Sequence, residues 1–284
     1  MKTLSIIGLL IACALGGFLF YARTQKPGAV DGVAASGQSS GSSLAQAEVR
    51  VTVLAGALEV ELPGGQSKTI AGQTKISAGT TIKTPEASRA LIEFTDGAIA
   101  RLEGRSTLRL KEISANAAPF VTLELLSGRL FVHSAQPPEA SALWYTVLTP
   151  NATIAMGNHA LDIVRLAGKT KIINFKDTAS VTPRGPDTDM NTPAPAALAL
   201  RFLESTTIDD TTPHGPFSVI PVTPETIQID PWLIYNIEQE LKRGAPLPAI
   251  AGVTLSIPTP TPTPAPQALN AEAASRTSEK TILP

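Results

Sequence analysis

The chain has 284 residues, and its 23 Lys and Arg against 24 Asp and Glu leave a net charge of −1. Phosphate recognition needs a local excess of Lys and Arg, so no nucleic-acid partner is expected. The single cysteine, Cys13, excludes an intrachain disulfide framework and a cysteine-based zinc site, and aromatic residues at 5 % argue against a stacking groove for sugars or bases.

Lys2 is followed by TLSIIGLLIACALGGFLFY, with no charge before Arg23. A run of that length crosses a hydrocarbon core of roughly 30 Å as a helix, and it lacks the polar face that a helix of a soluble domain shows. Residues 1–25 are therefore predicted to anchor the chain in the cell membrane through residues 4–21. The protein is then single-pass, with the bulk extracytoplasmic. Two alternatives stay open. One is a cleaved signal peptide; the other is a lipoprotein, because Leu10–Ile11–Ala12–Cys13 has the form of a lipidation box, although Ala14 to Tyr21 stays apolar. Residues 26–47 are rich in Gly, Ser and Ala and read as a flexible stalk.

From residue 48 the pattern is β. Val49 to Val53 alternates, as does Leu58 to Leu62 before the turn cluster Pro63–Gly64–Gly65. Ala90–Thr95 and Ala98–Glu103 flank Asp96–Gly97, which predicts a hairpin tip of type I′, both central residues taking positive φ. Further strands are expected at Val121–Leu126, Gly128–His133, Trp144–Leu148 and Lys171–Phe175. No helical period competes before residue 225. An internal repeat is visible: Leu54–Ala55–Gly56–Ala57–Leu58–Glu59–Val60 matches Leu126–Ser127–Gly128–Arg129–Leu130–Phe131–Val132. Thr84–Pro85–Glu86–Ala87 matches Thr149–Pro150–Asn151–Ala152 in the same order, and Phe175 to Val181 reads as a decayed copy of the first piece. The expected fold is mainly β, a sandwich or β-roll over residues 48–183.

Residues 184–257 read as a linker and a helix-containing extension. Asp230 and Pro231 suit an N-cap and a first helical residue, and Gly244 and Pro246 end the segment. Trp232, Tyr235, Ile237 and Leu241 fall near one face. A helix this short does not persist alone, so it is expected to dock on the β domain through Trp232 and Tyr235. Residues 258–284 begin PTPTPTPAP and are expected to form an extended, then disordered, tail.

The stretch Ile82–Lys83–Thr84–Pro85–Glu86–Ala87–Ser88–Arg89–Ala90–Leu91–Ile92–Glu93–Phe94–Thr95–Asp96–Gly97, then Arg101–Leu102, resembles the FecR-type extracytoplasmic domain. Leu125, Gly128 and Val132 continue its pattern. Thr149–Pro150 and Gly157 continue it further, but Asn158–His159–Ala160–Leu161 replaces the Thr-x-Phe that follows the family's glycine. A closing Gly-x-Val hairpin is expected near Asp177, where the glycine is absent. The resemblance covers about residues 49–183 and implies an exterior β domain. In such proteins a cytoplasmic anti-sigma module precedes the membrane helix. Only Met1, Lys2 and Thr3 stand before it in this sequence, so a tethered domain without that module is expected.

No catalytic, cofactor or metal site is expected. His133, His159 and His214 lie far apart with no H-x-x-x-H spacing; there is no G-x-S-x-G elbow and no phosphate loop. His159 and Asp162, three apart on a strand, would face opposite sides. Asp187 and Asp189 lie in a linker without further ligands for calcium. Asn151–Ala152–Thr153 fits a glycosylation acceptor but reads better as a turn after Pro150. Arg101, Arg105, Arg109 and Lys111, all odd-numbered, could share one strand face, either solvated or binding a polyanion. The expected function is a membrane-anchored binding or scaffolding module whose partner is an envelope protein or cell-wall polymer. The alternatives are a sensory component signalling to a separate membrane partner and, with no catalytic constellation in its favour, an envelope hydrolase.

Overall fold

The computed structural model describes residues 48–114, 120–134, 144–185, 196–212, 215–245 and 247–253. The expected anchor, stalk and Pro/Thr tail lie outside them, as do His214, Asp187 and Asp189. The described residues lie in the unit Ala45–Pro284. Among them no helix is long and apolar enough to cross a membrane.

Strands dominate. Sheet 1 runs in the order β4 (Gln73–Ser77), β1 (Glu48–Ala55), β6 (Arg89–Glu93), β7 (Ile99–Leu102), the second half of β9 (Phe120–His133), β12 (Ala160–Leu166), β13 (Lys169–Asn174), β16 (Glu204–Asp209) and β17 (Val219–Pro221). Sheet 2 runs β3 (Ser67–Ile70), β2 (Leu58–Glu61), β5 (Thr81–Thr84), β8 (Ser106–Ser114), the first half of β9, β10 (Trp144–Thr149), β11 (Ala152–Met156), β14 (Ala179–Pro183) and β15 (Leu198–Leu200). Neighbours are antiparallel except β9 and β10. The main core lies between the sheets, with Val51, Ile92, Leu102 and Ile163 from sheet 1 meeting Leu58, Leu108, Leu123 and Ile154 from sheet 2.

The side-chain period explains how one strand serves two sheets. Along β9 the core residues are odd before Gly128 (Val121, Leu123, Leu125) and even after it (Leu130, Val132). A strand that keeps period two cannot change parity, so the chain must turn over there. Gly128 does this at φ 89°, and a Cβ on it would stand 2.3 Å from Ser106 Oγ. The same inversion occurs at Gly56, between Val49 and Val51 of β1 and Leu58 and Val60 of β2, at φ 66°. It occurs a third time between Ile172 and Ala179, where Asp177 takes φ 55°. Aspartate tolerates this region better than most residues, and the Asn174 side-chain amide holds the Asp177 carbonyl at 2.8 Å. The repeated Leu-x-Gly segment is thus a sheet-crossing device, and the missing third glycine is replaced by Asp177. The Thr-Pro match does not carry over: Thr84 ends β5 before a crossing to β6, whereas Thr149–Pro150 sits in the β10–β11 hairpin of one sheet.

Three sequence expectations need correction. The two strands expected at Val121–Leu126 and Gly128–His133 are one continuous strand. The β structure does not stop at 183, because β15 pairs with β14 and β16 with β13, adding a strand to each sheet. Asp96–Gly97 does form the β6–β7 tip, but only Gly97 has positive φ (85°). Gly97 N–H donates to Phe94 O and Phe94 N–H to Ala98 O, which makes a three-residue loop closed by a glycine bulge instead of a type I′ turn. Left-handed backbone at both turn positions occurs instead at Ala167 (φ 49°) and Gly168 (φ 78°), joining β12 to β13.

A second apolar cluster lies on the outer face of sheet 1. Phe131, Ala160, Ile173 and Phe175 are covered by Val222, Ile227, Trp232, Leu233 and Ile237, the last four from α1 (Pro224–Gln228) and α2 (Pro231–Lys242). The expected docking helix is therefore in place. Its buried stripe is Trp232, Leu233, Asn236, Ile237 and Glu240; Tyr235 is half-buried and Leu241 is exposed.

Candidate functional site

Two groups of polar residues converge where α2 meets sheet 1. At its start, Asp230 caps the helix by accepting from Trp232 N–H at 3.0 Å and Leu233 N–H at 3.3 Å. The same carboxylate accepts from Arg129 Nη1 at 3.1 Å and Nη2 at 2.7 Å. Arg129 also forks onto Asp162, with Nε at 2.9 Å from Oδ1 and Nη2 at 2.9 Å from Oδ2, and Trp232 Nε1–H donates to Asp162 Oδ1 at 3.1 Å. Asp162 is fully buried. Burial pushes its carboxyl up, and the Arg129 guanidinium pulls against that. Burial also opposes the Arg129 charge, but Asp162 and Asp230 outweigh it and hold the guanidinium above its ordinary pKa. Arg129 forks onto both carboxylates and Trp232 Nε1–H adds a donor to Asp162, which is the geometry of an ionised pair.

At the other end, Glu240 is fully buried. Arg101 Nη1 stands 2.7 Å from Glu240 Oε1. The approach lies off the hydrogen-bond axis, so Oε1 gains charge contact without a hydrogen bond. Glu240 Oε2 accepts from Arg243 Nη2 at 2.8 Å and faces His133 Nδ1 at 2.5 Å. A carboxylate only accepts, so Nδ1 carries the hydrogen. Burial raises the Glu240 carboxyl, but His133, Arg101 and Arg243 together hold it down at about 2. Asn236 links the groups, accepting from Arg101 Nη1 at 3.3 Å and donating to Trp232 O at 2.8 Å. Arg89 lies against the stacked rings of Trp232 and Tyr235 at 5.8 and 5.2 Å.

The open surface adjoins this network at Arg129 and Arg89. Two clefts of about 490 and 370 Å³ adjoin and share Glu103, Gly104 and Arg105. The larger runs past the Gly128 crossing to Arg129, Arg165 and the Leu166–Gly168 turn; the smaller reaches Ala55 and Glu86–Arg89. Their rim is mixed: Arg105 pairs with Glu86, both largely exposed, Arg165 pairs with Asp210, and Leu166 is 71 % exposed.

The four basic residues expected to share a face do not. Arg101 is buried under α2, Arg105 sits in the turn after β7, and Arg109 and Lys111 lie exposed on β8 of the other sheet. The odd-number argument fails because the chain changes sheets between β7 and β8. Asn151 is 2 % exposed and donates to Ile208 O at 2.9 Å, so it is a turn residue and no sugar acceptor. Asp96 has a further task, accepting from the Tyr145 hydroxyl at 2.8 Å. His159 bonds through Nδ1 to Lys176 O at 3.2 Å, and burial lowers its pKa; Asp162 faces α2. Sequence reasoning missed Arg129, His133, Asn236 and Glu240. Leu233, Asn236, Ile237 and Glu240 carry the i, i+3, i+4, i+7 spacing of one helix face, a signal hidden by counting only apolar residues.

Residues 80–180 match the model of the family described as FecR protein, so the sandwich contains a FecR-type domain. No curated protein matches the chain. Two crystal structures of a candidate anti-sigma factor from Parabacteroides distasonis ATCC 8503, at 1.65 and 2.50 Å resolution, are similar. Each shares 12 % identity over 57 % of this chain and 73 % of that one, with a TM-score of 0.41.

Proposed function

We propose that the chain is a membrane-tethered extracytoplasmic protein whose FecR-type sandwich binds or scaffolds a protein of the cell envelope. The observation that carries the reading is the pair of adjoining clefts at the crossing end, which place both charges and an exposed leucine on one rim. A polymer of one charge sign would call for a rim of the opposite sign; a mixed rim with an apolar element suits a protein segment. The tether rests on the uncharged run before Arg23.

The test uses the detergent-solubilised full chain as bait in envelope extracts, beside Leu166→Asp and Arg105→Glu. Both side chains are exposed, so neither change should unfold the domain. A protein captured by the native chain and lost with Leu166→Asp supports the reading. Equal capture by all three, or capture of cell-wall polymer alone, refutes it. Membrane fractionation with N-terminal sequencing tests the tether: residues 1–23 should remain on the mature chain, and a start at Cys13 or beyond residue 23 overturns the anchor.

A further inference from the structure

We propose that the outer face of sheet 1 is a helix-receiving surface, filled in cis by α2 and able, when α2 leaves, to take a partner's amphipathic helix that carries a tryptophan and two carboxylates on the same face. Arg101 of β7, Arg129 and His133 of β9 and Asp162 of β12 all point out of the sandwich, around Phe131 and Phe175. An outer sheet face bearing two arginines, a histidine and a carboxylate can be solvated when bare. The same groups are met by α2 in register: Asp230 on Arg129, Trp232 on Asp162, Asn236 and Glu240 on Arg101 and His133.

Trp232, Leu233 and Ile237 hold the helix by apolar contact with Phe131 and Phe175, and the buried ion pairs set its register. Two properties of this contact mark it as separable. Main-chain hydrogen bonds from Thr223 to Val253, among the described residues, stay within that segment; the last one to a sheet is Val222 N–H to Leu203 O. The helix can therefore leave without breaking a ladder. Finally, its charged residues regain water when it leaves, which offsets part of the cost of parting. A helix of equal chemistry would meet the same donors and the same aromatic floor, as in other helix-in-groove complexes.

The test uses the full chain and a fluorescein-labelled peptide of residues 224–253 as the trans probe. Asp230→Asn with Glu240→Gln in the chain keeps the cap and the shapes but removes both carboxylates from the cis helix. Fluorescence anisotropy should show at least tenfold tighter peptide binding to this variant than to the native chain, and no binding by a peptide carrying the same two changes. Failure of the native peptide to bind either chain overturns the proposal. Hydrogen exchange on the unaltered chain decides independently of the variant's folding. Amides of α2 should exchange through an opening far more frequent than that of β9 and β12. Exchange of all three only through global unfolding would overturn the proposal as well.

Discussion

At the scale of single residues, the left-handed positions do two kinds of work. Gly97 has open space around its missing Cβ and φ 85°, so a side chain there costs backbone strain alone. Gly128 has the same kind of φ and also a Cβ position 2.4 Å from Ser106 Cα. Gly97→Val should cost about 1–3 kcal/mol, and Gly128→Ala more, roughly 2–5 kcal/mol, since strain and overpacking add. Thermal melts of the two variants check the order; a milder Gly128→Ala would mean that the crossing yields easily. Arg129 presents a different balance. Removing it leaves Asp162 buried without its partner, which should cost about 3–5 kcal/mol in Arg129→Met. The double change Arg129→Met with Asp162→Leu should recover most of that loss, a coupling that denaturant midpoints would read.

At the scale of elements, α2 holds the face of sheet 1 through charge as well as apolar contact. Glu240 is held at about 2 in the folded protein, below the ordinary 4.5. A carboxyl depressed on folding adds stability that is full above its unfolded pKa and is lost as pH falls through the folded one. Its contribution should therefore fade between about pH 4.5 and pH 2, and the melting temperature of Glu240→Gln should fall less over that window than that of the native chain. Equal falls would show that Glu240 is not the group that titrates. Docking has an optical signature too. Trp232 is 2 % exposed while Trp144 is 66 % exposed, so Trp144→Phe isolates the buried indole. Its emission should be blue-shifted, and water-like emission would show α2 undocked.

At the scale of the whole molecule, β9 makes one unit of two sheets. Leu123 in its first half faces Leu110 across the β8 ladder, and Leu130 in its second faces Leu102 across β7, with all four fully buried. The sheets share this strand and one core, so neither can lose its share of β9 and leave the other intact. Leu123→Ala and Leu130→Ala should each lower stability by about 2–5 kcal/mol. Urea unfolding of either variant should stay a single transition, coincident by circular dichroism and fluorescence. Two separated transitions would mean that the sheets fold as independent halves.

The sequence by itself determined what is local. Alternation, turn clusters and the Leu-x-Gly repeat announced strands and the glycine bends, and the Asp230–Pro231 start located α2, because caps, φ preference and side-chain period act within a few residues. It also carried the resemblance to the FecR-type domain. Only the tertiary structure decided which strands share a sheet, and so why Arg101 and Arg109, alike in parity, end on different sheets. It decided, too, that Asn236 and Glu240 face inward, since a polar residue enters a buried stripe only with a partner, and here the sheet partners stand more than a hundred positions away. For Glu240 those partners are Arg101 and His133. The physical reason is the range of the interaction: backbone preference is written next to the residue it governs, whereas charge pairing depends on a neighbour that folding alone supplies.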